Sequence, residues 1–378
     1  MSRESIPKRD LLFSLGHILS RTLTQSCSYL RLNTTVLITK IMCQDKSNNN
    51  IDSSKWTVHD TSQNCSFLPT IGVTLLLGWN GILSFITLYA LFVASKRERL
   101  FILGLCVLSV VLPPRWPGPM GRQIGWWMIT QSEKYFGLKT IVENEQELLK
   151  VSVGNRGTIF AMEPHDVIPI AAFSFSPVIS RIPGDRNVCF LVSSGVFRLP
   201  FLRQIYSWAG SLPVDKETFL SRLNAGKALA FVPGGVHEIL MLNKKKPRDL
   251  VLYLRNRKGF IKLALQTGSP IVPVFVYHLD GSYRLCWLPR GKLMETYSRW
   301  AGYFPLLYWG RWNILQGIPR PNKLTVVIGR PIHVPKEGSE VSRESVDKYH
   351  GIFLKELEAL FERHKEMEGY GDIRLKIV

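Results

Sequence analysis

Hydrophobic and polar positions along this 378-residue chain follow two regimes. In the first, Phe67 to Ser95 runs for 29 residues without a charge, and thirteen mostly apolar residues follow from Leu100 to Leu112, ahead of Pro113-Pro114. As a helix the first run would span ~43 Å, long enough to cross a bilayer. Gly78-Trp79-Asn80-Gly81 interrupts it and predicts a break or a kink. The second run is too short for a straight crossing, which predicts a re-entrant or monotopic piece. Lys96-Arg97-Glu98-Arg99 reads as a basic turn that the positive-inside rule would put in the cytosol. That conflicts with a hairpin whose two ends are both cytosolic, so the charges leave the topology open.

From Tyr135 onward short apolar runs alternate with helical periodicity. Thr158 to Met162, Val188 to Val192, Ala228 to Val232, Ile271 to Val276 and Leu324 to Ile328 read as strands, rich in β-branched and aromatic residues. Pro273 marks its strand as an edge or a bulge. Gly195 to Trp208 is helix-like, and Asn256 to Gln266 sets Phe260, Leu263 and Ala264 on one face with Gly268 as a stop signal. Ser342 to Met367 is a long helix whose Tyr349, Phe353, Leu357, Leu360 and Phe361 form one packing stripe. Strands alternating with helices predict an α/β layer around a partly parallel sheet with flanking helices.

Residues 1–66 differ from both regimes. They are rich in Ser, Thr, Asn and basic residues, include Lys46-Ser47-Asn48-Asn49-Asn50, and read as a flexible N-terminal arm. The expected organisation is therefore an arm over 1–66, membrane-embedded segments over 67–112 and a folded domain over 113–378. A formal charge of +19, with 46% hydrophobic residues, points to anionic membrane surfaces or phosphate-bearing ligands. Nucleic acid would be the competing partner, but no zinc-finger spacing, RNP aromatics or basic zipper is present. The six cysteines are scattered without a CxxC pair, so neither a disulfide frame nor a metal site is expected.

Candidate chemistry centres on Glu163-Pro164-His165-Asp166. Pro164 cannot continue a central ladder, so His165 falls just past the carboxyl end of a strand, the edge where open α/β sheets keep their ligands. A neutral imidazole there suits a general base, and Asp166 is placed to cap the segment from Val167 to Phe173. Pro233-Gly234-Gly235-Val236-His237-Glu238 also follows a strand, and its glycines let backbone amides face a substrate oxygen. Glu163 and Glu238 are candidates to orient the imidazole. Arg257-Lys258-Gly259-Phe260 opens a helix where amides and cations can hold an anion, and Ser193-Ser194-Gly195 with Arg198 and Arg203 is a second start of that kind. A serine nucleophile would sit in a Gly-x-Ser-x-Gly elbow, and none occurs.

Taken in order, these pieces resemble the type-2 diacylglycerol acyltransferases, particularly plant and algal members. The resemblance runs over roughly residues 67–378. It is carried by the apolar hairpin, Glu163-Pro164-His165, Ser193-Ser194 with Pro200-Phe201-Leu202-Arg203, Val232-Pro233-Gly234-Gly235-Val236-x-Glu238, Gly259-Phe260, Gly268-Ser269-Pro270-x-Val272-Pro273-Val274-Phe275 and Ile328-Gly329-Arg330-Pro331-Ile332. Four positions depart from the family pattern. Tyr135-Phe136-Gly137 replaces Tyr-Phe-Pro, Asp166 stands where Gly or Ser is usual, His237 replaces Gln, and Tyr277-His278-Leu279 replaces Phe-Gly-Gln. Ile170 also stands where the wider glycerolipid acyltransferases carry an Asp, so no His-Asp pair is available within the motif.

The resemblance implies a glycerolipid-acyltransferase-like α/β fold preceded by a membrane hairpin or re-entrant anchor. It implies acyl-CoA-dependent esterification of diacylglycerol to triacylglycerol, with acyl-CoA as co-substrate and no cofactor or metal. The expected location is the endoplasmic reticulum membrane and lipid droplets, with a plastid or other organelle left open, as is homo-oligomerisation. His165 would be the general base, with Glu163 and Glu238 supporting it and Gly234 and Gly235 as oxyanion donors. Pro164, Asp166, Ser194, Arg203, Arg257 and Gly259 would complete the substrate-binding set. Monoacylglycerol, a fatty alcohol or phytol are the alternative acceptors. A non-catalytic lipid-binding membrane protein is the alternative of another class.

Overall fold

The computed structural model describes residues 56–153, 157–170, 188–235, 237–239, 248–287, 291, 296 and 306–378. In chain order the first half comprises β1 (Thr57–Asp60), α1 (Phe67–Leu77), α2 (Trp79–Phe92), α3 (Lys96–Val111), α4 (Pro119–Phe136), β2 (Lys139–Val142), α5 (Glu145–Val153), β3 (Ile159–Glu163) and β4 (Cys189–Val192). Then come α6 (Leu202–Trp208), β5 (Leu212–Pro213), α7 (Lys216–Asn224), β6 (Leu229–Phe231), β7 (Asp249–Leu252), α8 (Gly259–Thr267) and β8 (Ile271–Tyr277). The chain closes with β9 (Arg284–Trp287), β10 (Leu307–Trp309), β11 (Thr325–Ile328), α9 (Arg343–His364) and β12 (Arg374–Ile377).

Among the described residues eight strands form one mixed sheet in the order β1-β2-β11-β8-β3-β6-β4-β5. From β8 to β5 every pairing is parallel, whereas β11 meets β8 antiparallel and β1 meets β2 antiparallel. Period-two alternation splits the sheet residues between two cores. Phe160, Met162, Val272, Val274, Val276, Val326 and Ile328 pack with α1, α4 and α6 on one face. Ile159, Ala161, Ile271, Phe275, Tyr277 and Val327 pack with α7, α8 and α9 on the other. On α9 the expected stripe is the buried face: Phe353, Leu357, Leu360 and Phe361 are wholly covered. Each such side chain contributes about 1.5–3 kcal/mol relative to exposure.

The break expected at Gly78-Trp79-Asn80-Gly81 is present, with α1 and α2 bent by 68° at Gly78. No single helix among the described residues is long and apolar enough to cross a membrane. Val73, Leu76 and Leu77 of α1 lie in the core against α4, so part of that run is domain interior. Lys96–Arg99 is not a turn but the first turn of α3, closed by a capping box between Ser95 and Glu98. Thr57–Asp60, at the end of the expected flexible arm, pairs with β2 as the sheet's edge. The helix expected over Gly195 to Trp208 is divided at Pro200, with a 3₁₀ turn at Ser194–Arg198 and α6 after it.

Pro273 lies in central β8, not on an edge. Ile271 N–H donates toward Ile332 O on the β11 side, and alternate residues face the same neighbour. The donor that Pro273 lacks therefore falls opposite Gly329, just past the end of β11, while Pro273 O still accepts from Gly329 N–H at 2.9 Å. The strand keeps its position for the loss of one terminal bond.

Candidate active site

The carboxyl ends of β3 and β6 are neighbours in the sheet, so the two turns singled out in the sequence converge. Glu163 ends β3 and is wholly buried; its Oε1 accepts from Gly234 N–H at 2.8 Å. Glu238, 3% exposed, accepts from two backbone amides: His165 N–H at 2.8 Å to Oε2 and Tyr253 N–H at 2.9 Å to Oε1. One carboxylate thus ties the His165 turn, the Gly-rich turn and the chain after β7 into one unit. Gly234 permits it. A Cβ there would lie 2.1 Å from Glu238 Oε1 and 2.3 Å from Cδ, an overlap no side chain tolerates. Gly235 is favoured for a different reason, its φ of +56°.

Burial, and then the neighbouring Glu238 carboxylate, push Glu163 well above the ordinary carboxyl range. Of two facing carboxyls in a dry site, one keeps its proton, and Glu163 is that member. Its Oε2 is buried and has no hydrogen-bond partner in the structure.

The imidazole is oriented by neither glutamate. His165 Nδ1 lies 2.8 Å from the carbonyl oxygen of Asp166, which can only accept, so Nδ1 carries the proton and Nε2 keeps its lone pair. Burial lowers the His165 pKa, partly offset by that carbonyl, which favours a neutral ring. The carbonyl reaches the ring because Asp166 takes a left-handed backbone, φ +51°. Gly accepts that conformation freely and Asp tolerates it. Asp166 therefore does not act as the extended N-cap expected of it. Residues 167–170 form a bend and turn, and 171–173 of that segment lie outside the described residues.

The remaining expected site residues divide. Arg257 sits beside the Gly-rich turn: its Nη2 donates to His237 Nδ1 at 2.5 Å, and its guanidinium lies over the Tyr253 ring. Its charge also lowers the Glu163 pKa in part, and Gly259 opens α8 nearby. Ser194 is exposed at the end of β4, separated from β3 by β6. Arg203 is turned elsewhere: its Nη1 donates to Val110 O at the end of α3, on the α1/α4 side. Gly234 N–H is taken by Glu163, so of the two expected oxyanion donors only Gly235 N–H lacks a hydrogen bond among the described residues. Pro164 is half-buried in the turn between β3 and His165. Sequence reasoning missed Tyr253, whose stacking on His237 and bond to Glu238 have no local motif to reveal them.

Fold and site define an α/β protein that presents a histidine with a free ring nitrogen at the carboxyl edge of a largely parallel sheet. A ring nitrogen so placed can accept a proton. The protein's family follows from the sequence as a whole: the chain belongs to the diacylglycerol acyltransferase family, whose model matches residues 91–377. Diacylglycerol O-acyltransferase 2 of Xenopus tropicalis is 28% identical over 295 residues, covering 72% of this chain and 78% of that protein. The human protein of that name is 30% identical over 233 residues, covering 57% of this chain and 58% of its own length. Human 2-acylglycerol O-acyltransferase 3 is 34% identical over 192 residues, 47% of this chain and 54% of that one. The chain thus spans under two thirds of the length of both human relatives.

Proposed function

We propose that this protein is an acyl-CoA-dependent O-acyltransferase that esterifies diacylglycerol to triacylglycerol by direct transfer, with His165 as general base. Family membership and the names of the relatives support the reaction class. The observation that carries the mechanism is the fixed tautomer: Nδ1 donates to Asp166 O, and Nε2 is left to accept a proton.

A thioester is already activated, so the acceptor needs a base and the developing oxyanion needs a donor. As the acceptor oxygen attacks the thioester carbonyl, its proton passes to Nε2 and the new C–O bond forms. The Gly235 amide is the donor available for the oxyanion. Collapse breaks the C–S bond, and the departing CoA thiolate takes the proton back from the imidazolium. General-base assistance contributes ~10²–10⁴-fold and one oxyanion donor ~10²–10³-fold. No serine or cysteine bonds the His165 ring among the described residues, in keeping with transfer that skips an acyl-enzyme.

Helices α2 and α3 expose Phe85, Leu88, Leu91, Phe101, Leu103 and Val107, which supports seating in the interface of a membrane such as the endoplasmic reticulum or a lipid droplet. A second acceptor, a 2-acylglycerol, is supported by the likeness to human 2-acylglycerol O-acyltransferase 3.

Expression in cells lacking neutral lipid tests the reading. Triacylglycerol should accumulate with the parent, and His165→Ala should cut turnover by at least ~10²-fold while staying folded and membrane-bound. Accumulation of no acylated glyceride would refute the function. Near-normal synthesis by the variant, or an acyl-enzyme trapped in the parent, would refute the mechanism.

A further inference from the structure

A cleft of about 450 Å³ opens between α7 and α8, on the sheet face opposite α1 and α4. Its volume lies in the range of small-ligand sites. The floor is aromatic: Phe219, Phe231 and Phe260 stand edge to face with ring centroids 5.1 and 5.4 Å apart. The rim is cationic, with Lys216, Arg257 and Lys262 against a single acid, Asp215. Asp215 is already committed as the N-cap of α7, accepting from Thr218 N–H at 2.8 Å and from its hydroxyl at 3.0 Å. Lys216 and Lys262 are exposed and hold no ion pair among the described residues.

An aromatic floor and a cationic rim suit a ligand that is planar and anionic. A nucleotide carrying phosphates is both. The cleft also reaches the reaction edge, because Pro233 lines it and the next residue, Gly234, bonds Glu163.

We infer that this cleft between α7 and α8 holds the phosphorylated adenosine head of the acyl-CoA, with its pantetheine arm passing over Pro233 toward His165. The inference rests on the acyl-CoA reading above and adds where that substrate binds. Lys216, Lys262 and Arg257 pair with the phosphates, and the phenylalanines back the ring. The polar half of the donor enters from the α7–α9 side, while the exposed apolar helices flank the other core. The two substrates, one water-soluble and one lipid, therefore approach from opposite faces of the sheet and meet at its carboxyl edge.

Equilibrium binding of CoA to the full-length protein in detergent at low salt tests the cleft without any turnover. Adenosine 3′,5′-bisphosphate should compete with CoA, and inorganic phosphate at equal concentration should not. Lys216→Gln with Lys262→Gln, both exposed and helical, should weaken CoA binding by roughly ten-fold, an effect that shrinks as salt screens it. Lys323→Gln, whose lysine pairs with Asp60 at the other end of the sheet, should leave the CoA affinity at the parent value. CoA bound as tightly by the double variant as by the parent would overturn the proposal, as would equal competition by inorganic phosphate. A parent that binds CoA through these lysines but fails to transfer its acyl group would refute the proposed function and leave the cleft assignment standing.

Discussion

Glu163 and Glu238 look interchangeable in the sequence, and the structure predicts opposite responses to the same isosteric change. Glu163 is the protonated member of the pair, and its Oε1 accepts one backbone amide. Glu163→Gln replaces a neutral donor–acceptor group with another, so it should cost ~1 kcal/mol or less and leave turnover within a few-fold of the parent. Glu238 uses both oxygens as acceptors, from His165 N–H and Tyr253 N–H. Glu238→Gln turns one of them into a donor facing a backbone donor. Losing one bond to a charged acceptor and leaving a buried amide unmet costs ~1.5–3 kcal/mol. A His165 turn displaced by ~1 Å costs ~10²-fold in rate.

The Glu163 pKa is raised in the folded state above the ordinary carboxyl value of 4.5, so the native protein binds this proton more tightly than the unfolded chain. Its stabilising contribution is fully present below about 4.5 and is lost as pH rises through the higher folded value. Thermal melts of parent and Glu163→Gln across pH 4–9 should therefore diverge, the parent losing stability relative to the variant on the alkaline side. Acyl transfer and melting temperature would be followed together. Equal activity loss in both glutamine variants, or parallel melting profiles, would refute the shared-proton assignment.

Gly234→Ala should abolish most acyl transfer, because its Cβ would overlap the Glu238 carboxylate, whereas Gly235→Ala, with its nearest contact at 3.9 Å, should cost only about 1 kcal/mol of left-handed strain. Purified-variant melts and initial rates give the ranking. Because burial lowers the His165 pKa, the acid limb of the pH–rate profile should fall below pH 6.5, with rate lost as pH drops through the folded value. An alkaline carbonate wash should leave the parent in membranes, and Leu103→Asp with Val107→Asp should release a protein of unchanged circular dichroism, since these side chains are 59% and 54% exposed and hold little of the core.

The sequence alone carried the alternation of strands and helices, the α9 stripe, the stop at Gly268 and the edge on which His165 stands. Each is a local signal: a run, a period or a breaker read within a few residues. Family resemblance was legible for a related reason, since its blocks are short and occur in order. What the sequence could not determine was which groups meet. Glu238 bonds the His165 and Tyr253 amides from 73 and 15 residues away, and Glu163 reaches Gly234 across 71. Proximity of that kind exists only once β3 and β6 pair. Composition likewise marked Phe67 to Ser95 as one apolar run, and only tertiary packing divided it. Val73, Leu76 and Leu77 have α4 to bury them, and Phe85, Leu88 and Leu91 do not. The two carboxylates follow the same logic, for their identical chemistry is separated by one dry interface in which a single proton has to remain.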